Sequence, residues 1–231
     1  MKKLGLVGGM GPESTMPYYH GIVYGVNSRT RKDFFPNLSI ESINVFHILQ
    51  LCAKKEYDRL TDYVLEAIEN LARSGADFVA LSANTTHIVF DRLQERSPLP
   101  LLSIVEAVCS EAVRRQYKKV GLLGTIFTMT EDFYKKPFIR EGIRVVVPDT
   151  EEMNRVDRLI STELEYGIIK PETLAEFQRI IARMRDEDGI EAIILGCTEL
   201  PLILNAENSP VPVLDTMKIH IEAIVNTILS D

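Results

Sequence analysis

Three cysteines in 231 residues, at positions 52, 109 and 197, are too few and too scattered for a disulfide framework. None forms a Cys-x-x-Cys pair and no His/Cys cluster has zinc spacing, so they read as reduced thiols of a cytoplasmic protein, with no metal expected. A basic excess is also missing. The net charge of −7, with a pI near 5.3 and no Lys/Arg run longer than three residues, argues against a nucleic-acid partner. No apolar run approaches the roughly 18–20 residues that span a bilayer. The N-terminus enters a strand at once, so neither a membrane segment nor a signal peptide is expected. The loop Gly8-Gly9-Met10-Gly11 lacks GxGxxG spacing, and no acid clearly ends the second strand as a ribose ligand would, which argues against a nucleotide. What is present, 45% hydrophobic residues and a mean hydropathy near zero, is the composition of an ordinary soluble globular protein.

Apolar runs stopped by glycine mark the strands. Leu4-Gly5-Leu6-Val7 ends in the Gly8–Gly11 loop, and Pro12 followed by Glu13, Ser14 and Thr15 suits the first turn of a helix. Residues 37–44 alternate as a second strand. Leu60, Tyr63, Val64, Ala67, Ile68 and Leu71 share one face of a helix over 57–73. A strand over 78–82 leads to a short helix that Thr85 or Thr86 can cap. The order then begins again: residues 99–104 lead into a helix to 115, and a strand over 119–124 is followed by a turn and helix over 125–139. A strand over 144–147, helices over 151–166 and 172–187, a strand over 192–195 and a last amphipathic helix complete the chain.

Strands alternating with helices give parallel sheets covered on both faces. The duplication is visible in residues. Leu4-Gly5-Leu6-Val7-Gly8 matches Val120-Gly121-Leu122-Leu123-Gly124 at an offset of 116. Ala83-Asn84-Thr85 matches Cys197-Thr198-Glu199 at 114, and Leu99-Pro100-Leu101-Leu102-Ser103 matches Val211-Pro212-Val213-Leu214-Asp215 at 112. The reading is an α/β chain of two pseudo-symmetric, doubly wound parallel-sheet domains, 1–98 plus 208–231 and 99–207, facing a central crevice. Position 83 and Cys197 are then expected on opposite walls.

Such a site can take an acidic C–H proton on one wall and return one from the other, inverting a stereocentre. A thiol suits the task, because its ordinary pKa near 8.5 falls toward neutrality at a helix N-terminus. Helix starts at Gly11, Thr85, Thr125 and Thr198 can offer N–H groups to a substrate carboxylate. Asn84, Thr86 and Thr128 would complete the cradle, with Met10 and Gly11 approaching from the first loop. Cys197 is placed to act. Ala83 has no proton to give.

Gly8-Gly9-Met10-Gly11-Pro12-Glu13-Ser14-Thr15, Asn84-Thr85-Thr86-His87 and Gly196-Cys197-Thr198-Glu199 together resemble the aspartate/glutamate racemase family over essentially the whole chain. Cys-Thr-Glu at the second turn resembles its aspartate-racemase branch, closest to bacterial L-aspartate/glutamate-specific or broad-specificity racemases; glutamate racemases usually carry Cys-Thr-His there. The resemblance implies cofactor-independent racemisation of L-/D-aspartate or glutamate, often by a homodimer, with Cys197 as one acid/base. It also implies Cys or Thr at position 83, so alanine there implies an impaired enzyme. With everything around it intact, Ala83 reads as an engineered active-site change ahead of a natural loss of half the reaction.

His47, after the second strand, can touch substrate, and Lys170 sits where such racemases often bring a cation to the side-chain carboxylate. Glu199 can orient the thiol, with its effect on the thiol pKa open. His87, four residues past position 83, reads as a residue that fixes the turn, and Cys52 and Cys109 as buried hydrophobes. Two alternatives stand beside the racemase: a one-cysteine enzyme like the arylmalonate decarboxylases, and a non-catalytic binding protein for small dicarboxylic acids.

Overall fold

A computed structural model describes residues 1–10, 12–30 and 33–230, the side chains of Pro12 and Glu13 apart, and divides the chain into two units, Met1–Ala107 with Met217–Asp231 and Val108–Thr216. The first unit runs β1 (Leu4–Gly8), α1 (Pro12–Arg29), β2 (Leu38–Ser42), α2 (Val45–Ala53), α3 (Tyr57–Arg73), β3 (Phe78–Leu81), a 3-10 helix (Thr85–Val89), α4 (Phe90–Arg96), β4 (Leu101–Leu102) and the start of α5 (Ile104–Arg114). The second runs β5 (Lys119–Leu123), α6 (Ile126–Thr130), α7 (Lys135–Arg140), β6 (Arg144–Val146), α8 (Thr150–Thr162), a 3-10 turn (Leu164–Tyr166), α9 (Pro171–Arg183), a π turn (Met184–Asp188), β7 (Ala192–Leu195), a second 3-10 turn (Leu200–Leu202) and β8 (Val213–Asp215). α10 (Thr216–Leu229) then rejoins the first unit.

Each unit holds one four-stranded, wholly parallel sheet, in the orders β2-β1-β3-β4 and β6-β5-β7-β8. β1, β3 and β7 are buried at every residue, since a central parallel strand is covered on both faces and must be apolar throughout. The duplication extends to single hydrogen bonds. Val79 N donates to Pro100 O and Ile193 N to Pro212 O, both at 2.9 Å, while Asp77 N donates to Lys3 O and Glu191 N to Lys119 O, both at 2.8 Å. In both sheets the strand order reverses between the first and third strands of the unit, the switch point where open α/β sheets bind ligands.

One face of each sheet is covered by a helix pair. Leu4, Leu6, Phe78 and Ala80 pack with Tyr18, Ile22 and Val26 of α1 and Ile224, Val225 and Ile228 of α10. Leu123, Ile193 and Leu195 pack with Val156 and Ile160 of α8 and Phe177, Ile180 and Ile181 of α9. Beneath α9 the carboxylate of Glu152, 7% exposed, is held by Arg183 at 2.7 Å.

The boundaries differ from the sequence reading: the first unit ends at Ala107 against 98 and resumes at Met217 against 208. The reason is β4. Residues 99–103 do not open the second half, because Leu101 and Leu102 pair with Val79 and Ala80 and close the first sheet, as β8 closes the second. The sequence reading also has no counterpart of α2, and where it has a turn and one helix over 125–139 there are two short helices, separated where Asp132 O accepts from Lys135 N and Lys136 N, both at 3.0 Å. Among the described residues no helix is long and apolar enough to cross a membrane.

Candidate active site

The two turns that follow β3 and β7 leave their sheets in the same way. Ser82 N donates to Val7 O at 3.0 Å, and Gly196 N donates to Leu123 O at 2.7 Å. At Gly196 a side chain is excluded, because a Cβ would lie 2.8 Å from Leu123 O. In the first loop Gly9 has φ +77°, and a Cβ there would meet Ser42 Oγ at 2.4 Å and Ile43 O at 2.5 Å, so only glycine fits.

At the first turn the half-buried Ala83 presents its carbonyl to two donors, Thr86 Oγ1 at 3.2 Å and His87 Nδ1 at 3.0 Å. His87 Nε2 accepts the backbone N–H of Ile104 at 3.2 Å, which leaves the proton on Nδ1 and the ring neutral. Burial lowers its pKa to about 4, against the smaller opposing effect of the backbone hydrogen bonds. The ring stacks on Phe90 with centroids 4.9 Å apart. Behind it, buried His220 donates from Nε2 to Leu102 O at 3.1 Å and accepts from Tyr18 OH at Nδ1, at 2.9 Å. Burial, then the neighbouring His87, lowers the His220 pKa to about 3. The role expected of Thr85 and Thr86 as caps is not taken up: Asn84 stands at the N-cap, no side chain caps the helix, and the Thr86 hydroxyl is spent on Ala83 O. Asn84 is buried and Thr85 half-buried. Met10 is buried, with Gly9 N donating to Thr15 Oγ1 at 2.9 Å; Gly11 lies outside the described residues. His47 is half-buried on α2, edge-on to Tyr63 with centroids 4.8 Å apart. Glu41, the penultimate residue of β2, is an acid near a strand end that the sequence reading passed over, and it accepts from Asn70 Nδ2 at 3.0 Å.

At the second turn Cys197 Sγ donates to Glu199 Oε2 at 2.8 Å, and Thr198 Oγ1 donates to the same oxygen at 3.0 Å. The thiol pKa therefore moves opposite to the expected direction. Burial raises it well above the ordinary value, with the charge and hydrogen bond of Glu199 and the charge of Glu165 adding to the rise. The helix after Cys197 is only a three-residue 3-10 turn, whose few aligned peptides cannot offset an adjacent carboxylate. Glu165 was not foreseen. Partial burial, then the like charges of Glu199 and Asp157, hold its carboxyl above the usual range.

Three other residues expected at the site have partners within this unit. Thr125 heads a helix of five residues, and Ile126 N there already donates to Asp157 Oδ1 at 2.7 Å, so the position is filled by a carboxylate of the chain. Thr128 is 1% exposed and packs beneath Gly124 and Gly196, with its hydroxyl 3.2 Å from that of Thr125. Exposed Lys170 is paired with Glu163 at 2.9 Å, and Glu163 also accepts from Thr173. Among the described residues no group of three or more His, Cys, Asp or Glu could hold a metal ion.

A family model described as Asp/Glu/Hydantoin racemase matches residues 7–224. The broad specificity amino-acid racemase RacX of Bacillus subtilis (strain 168) is 26% identical, over 98% of both chains. Among solved structures, an aspartate racemase homologue from Pyrococcus horikoshii OT3 is 39% identical, with a TM-score of 0.87, and a candidate Asp/Glu racemase from Yersinia pestis is 35% identical, with a TM-score of 0.94. Both alignments cover each chain completely.

Proposed function

The chain belongs to the Asp/Glu/Hydantoin racemase family, and from that premise we propose that it moves the α-proton of a free amino acid at one face of Cα, through Cys197 and without a cofactor. The observation that carries this reading is the hydrogen bond from the Cys197 thiol to the Glu199 carboxylate. It gives the sulfur a defined proton acceptor in the resting protein. When Glu199 takes the thiol proton, the thiolate can break the Cα–H bond. The electron pair left on Cα spreads into the substrate carboxylate, and the proton sits on sulfur. Return of a proton from sulfur to the same face restores the starting enantiomer, and exchange on sulfur in the meantime replaces hydrogen by solvent deuterium.

Inversion needs a second acid/base for the opposite face. The duplicated architecture makes position 83 the counterpart of Cys197, and the methyl of Ala83 carries no exchangeable proton. This chain is therefore read as an efficient exchanger and a poor racemase. Aspartate and glutamate, the amino acids in the family's description, are the substrates the sequence motifs imply, with a homodimer as the acting form. The test is to incubate L- and D-amino acids with the protein in heavy water, following Cα–H loss by NMR and enantiomer content by chiral chromatography. Exchange of one enantiomer without interconversion, abolished in Cys197→Ser, is expected; rapid interconversion, or exchange that survives Cys197→Ser, overturns the reading.

The raised thiol pKa favours a second reading, because a sulfur that keeps its proton is placed to donate it. A malonate that breaks a C–C bond and releases CO₂ leaves an enediolate, which the Cys197 thiol could protonate. CO₂ release from substituted malonates separates this from amino-acid exchange.

A further inference from the structure

We infer that the second unit carries a ligand site of its own at the far end of its sheet from Cys197, and that it takes the zwitterion of a free α-amino acid with an apolar side chain. A cavity of about 380 Å³ lies between the C-terminal ends of α5 and α7 and the start of β5. Its volume falls in the range of small-molecule pockets, roughly 300–1,000 Å³. Lys119 begins β5 and Arg144 begins β6, so the cavity borders the end of the sheet where the strands enter. Cys197 stands at the other end, where they leave, and a five-residue strand of about 15 Å separates the two.

The first observation is charge. Lys118 and Glu141 line the cavity, and neither side chain has a hydrogen bond or ion pair among the described residues. The charges around them are committed. Glu111 holds Arg114 and Arg115, Lys119 Nζ donates to Asp188 O at 2.7 Å, and Glu191 accepts the backbone N–H groups of Lys118 and Lys119. An ammonium and a carboxylate on one cavity, with Val113 and buried Ile143 beside them, complement the carboxylate, ammonium and apolar side chain of one amino acid. α5 and α7 also both end here, and the carbonyl ends of helices favour a cation, here the ammonium that Glu141 receives.

The second observation is strain. Gly75, Gln116 and Gly189 each stand three residues before a strand, β3, β5 and β7, and Gly142 stands two before β6. All four are left-handed, and Gln116, at φ +61°, is the one that has a side chain. The turn is made alike at both helix ends that meet the cavity: Tyr117 N donates to Ala112 O at 3.1 Å, and Ile143 N to Phe138 O at 2.8 Å. Glycine would make that turn with less strain, so the turn alone does not account for glutamine. Gln116 lines the cavity, where its amide can bond the ligand's carboxylate beside Lys118.

The experiment titrates ¹⁵N-labelled protein with L-leucine and D-leucine, and with 4-methylpentanoate and 3-methylbutylamine, which lack the ammonium and the carboxylate. Amide resonances of residues 113–118 and 141–143 should shift together and saturate at millimolar leucine. Lys118→Met and Glu141→Gln should each weaken that binding at least tenfold, and each truncated compound should bind at least tenfold more weakly than leucine. Gln116→Gly should bind more weakly and melt at higher temperature, a pair of effects that a side chain kept only for the fold would not give. Four results overturn the inference: no shift at these residues at about 50 mM of either leucine, binding that either charge variant leaves unchanged, 4-methylpentanoate binding as tightly as leucine, or Gln116→Gly binding as tightly as the parent. Shifts confined to the residues around Cys197 overturn it too, and leave the proposed function standing.

Discussion

Lowering the pH below 6.5 should weaken the folded state through His87. The ring is buried neutral with a pKa of about 4, against 6.5 when exposed. Above pH 6.5 the folded and unfolded chains bind the same number of protons at this residue, so it gives stability no pH dependence there. Between 6.5 and 4 the unfolded chain takes up a proton that the folded one refuses, and stability falls as the pH falls. At 1.36 kcal/mol per pKa unit the interval is worth about 3 kcal/mol, of which about 2 kcal/mol is lost by pH 5. His220, with its pKa lowered to about 3, acts in the same direction. His87→Asn removes the titrating ring and leaves Ile104 N–H without its acceptor, a cost of about 1–3 kcal/mol at pH 7. In urea unfolding at pH 7, 6 and 5, the variant should start below the parent and lose about 2 kcal/mol less between pH 7 and 5. NMR should show the His87 ring of the folded parent still neutral at pH 5. Parallel stability curves for parent and variant, or a His87 resonance titrating near 6.5, would refute the reasoning.

Ala83→Cys supplies the missing acid/base, and the variant should interconvert enantiomers that the parent only deuterates; chiral chromatography reads the gain, and no interconversion would argue that position 83 has no share in the chemistry. Glu199→Gln removes the carboxylate that, after burial, most raises the thiol. Its Cys197 should ionise at lower pH, and a pH series of iodoacetamide alkylation should shift downward, where an upward shift would mean that Glu199 stabilises the thiolate. Arg183→Met leaves the buried Glu152 with only Arg179, at 3.4 Å, and should destabilise the second unit by about 3 kcal/mol in chemical denaturation.

The central strands were legible because burial on both faces forces an uninterrupted apolar run, as in Phe78-Val79-Ala80-Leu81 and Ala192-Ile193-Ile194-Leu195. The duplication was legible for the same reason, since equivalent positions meet the same packing demands. The edges were harder to read. β4 is two residues long, too short for any periodicity, and its match to β8 marks the end of a half where a beginning was expected. In α2 the apolar Phe46 and Leu49 face solvent beside buried Ile48, which blurs the helical stripe. At the second turn Cys197 could be singled out by its place after a strand-ending glycine. The effect of Glu199 could not, because orientation and charge repulsion act in opposite senses until the distance is known. Lys170 and Glu163 are seven residues apart and meet across a 3-10 turn, a spacing that no helix rule anticipates.

The return of α10 has a consequence for how the protein is made. Gly21 and Gly25 of α1 leave room for Ile221 and Val225, and Lys2 N bonds Ile228 O at 2.9 Å, so the opening half is sealed by the closing helix. On the ribosome, domains generally form in the order in which they emerge. Here the half translated first must wait, its apolar groove open, through synthesis of the whole of the other. A nascent chain stalled before Thr216 would offer chaperones an unsealed early half beside a finished late one.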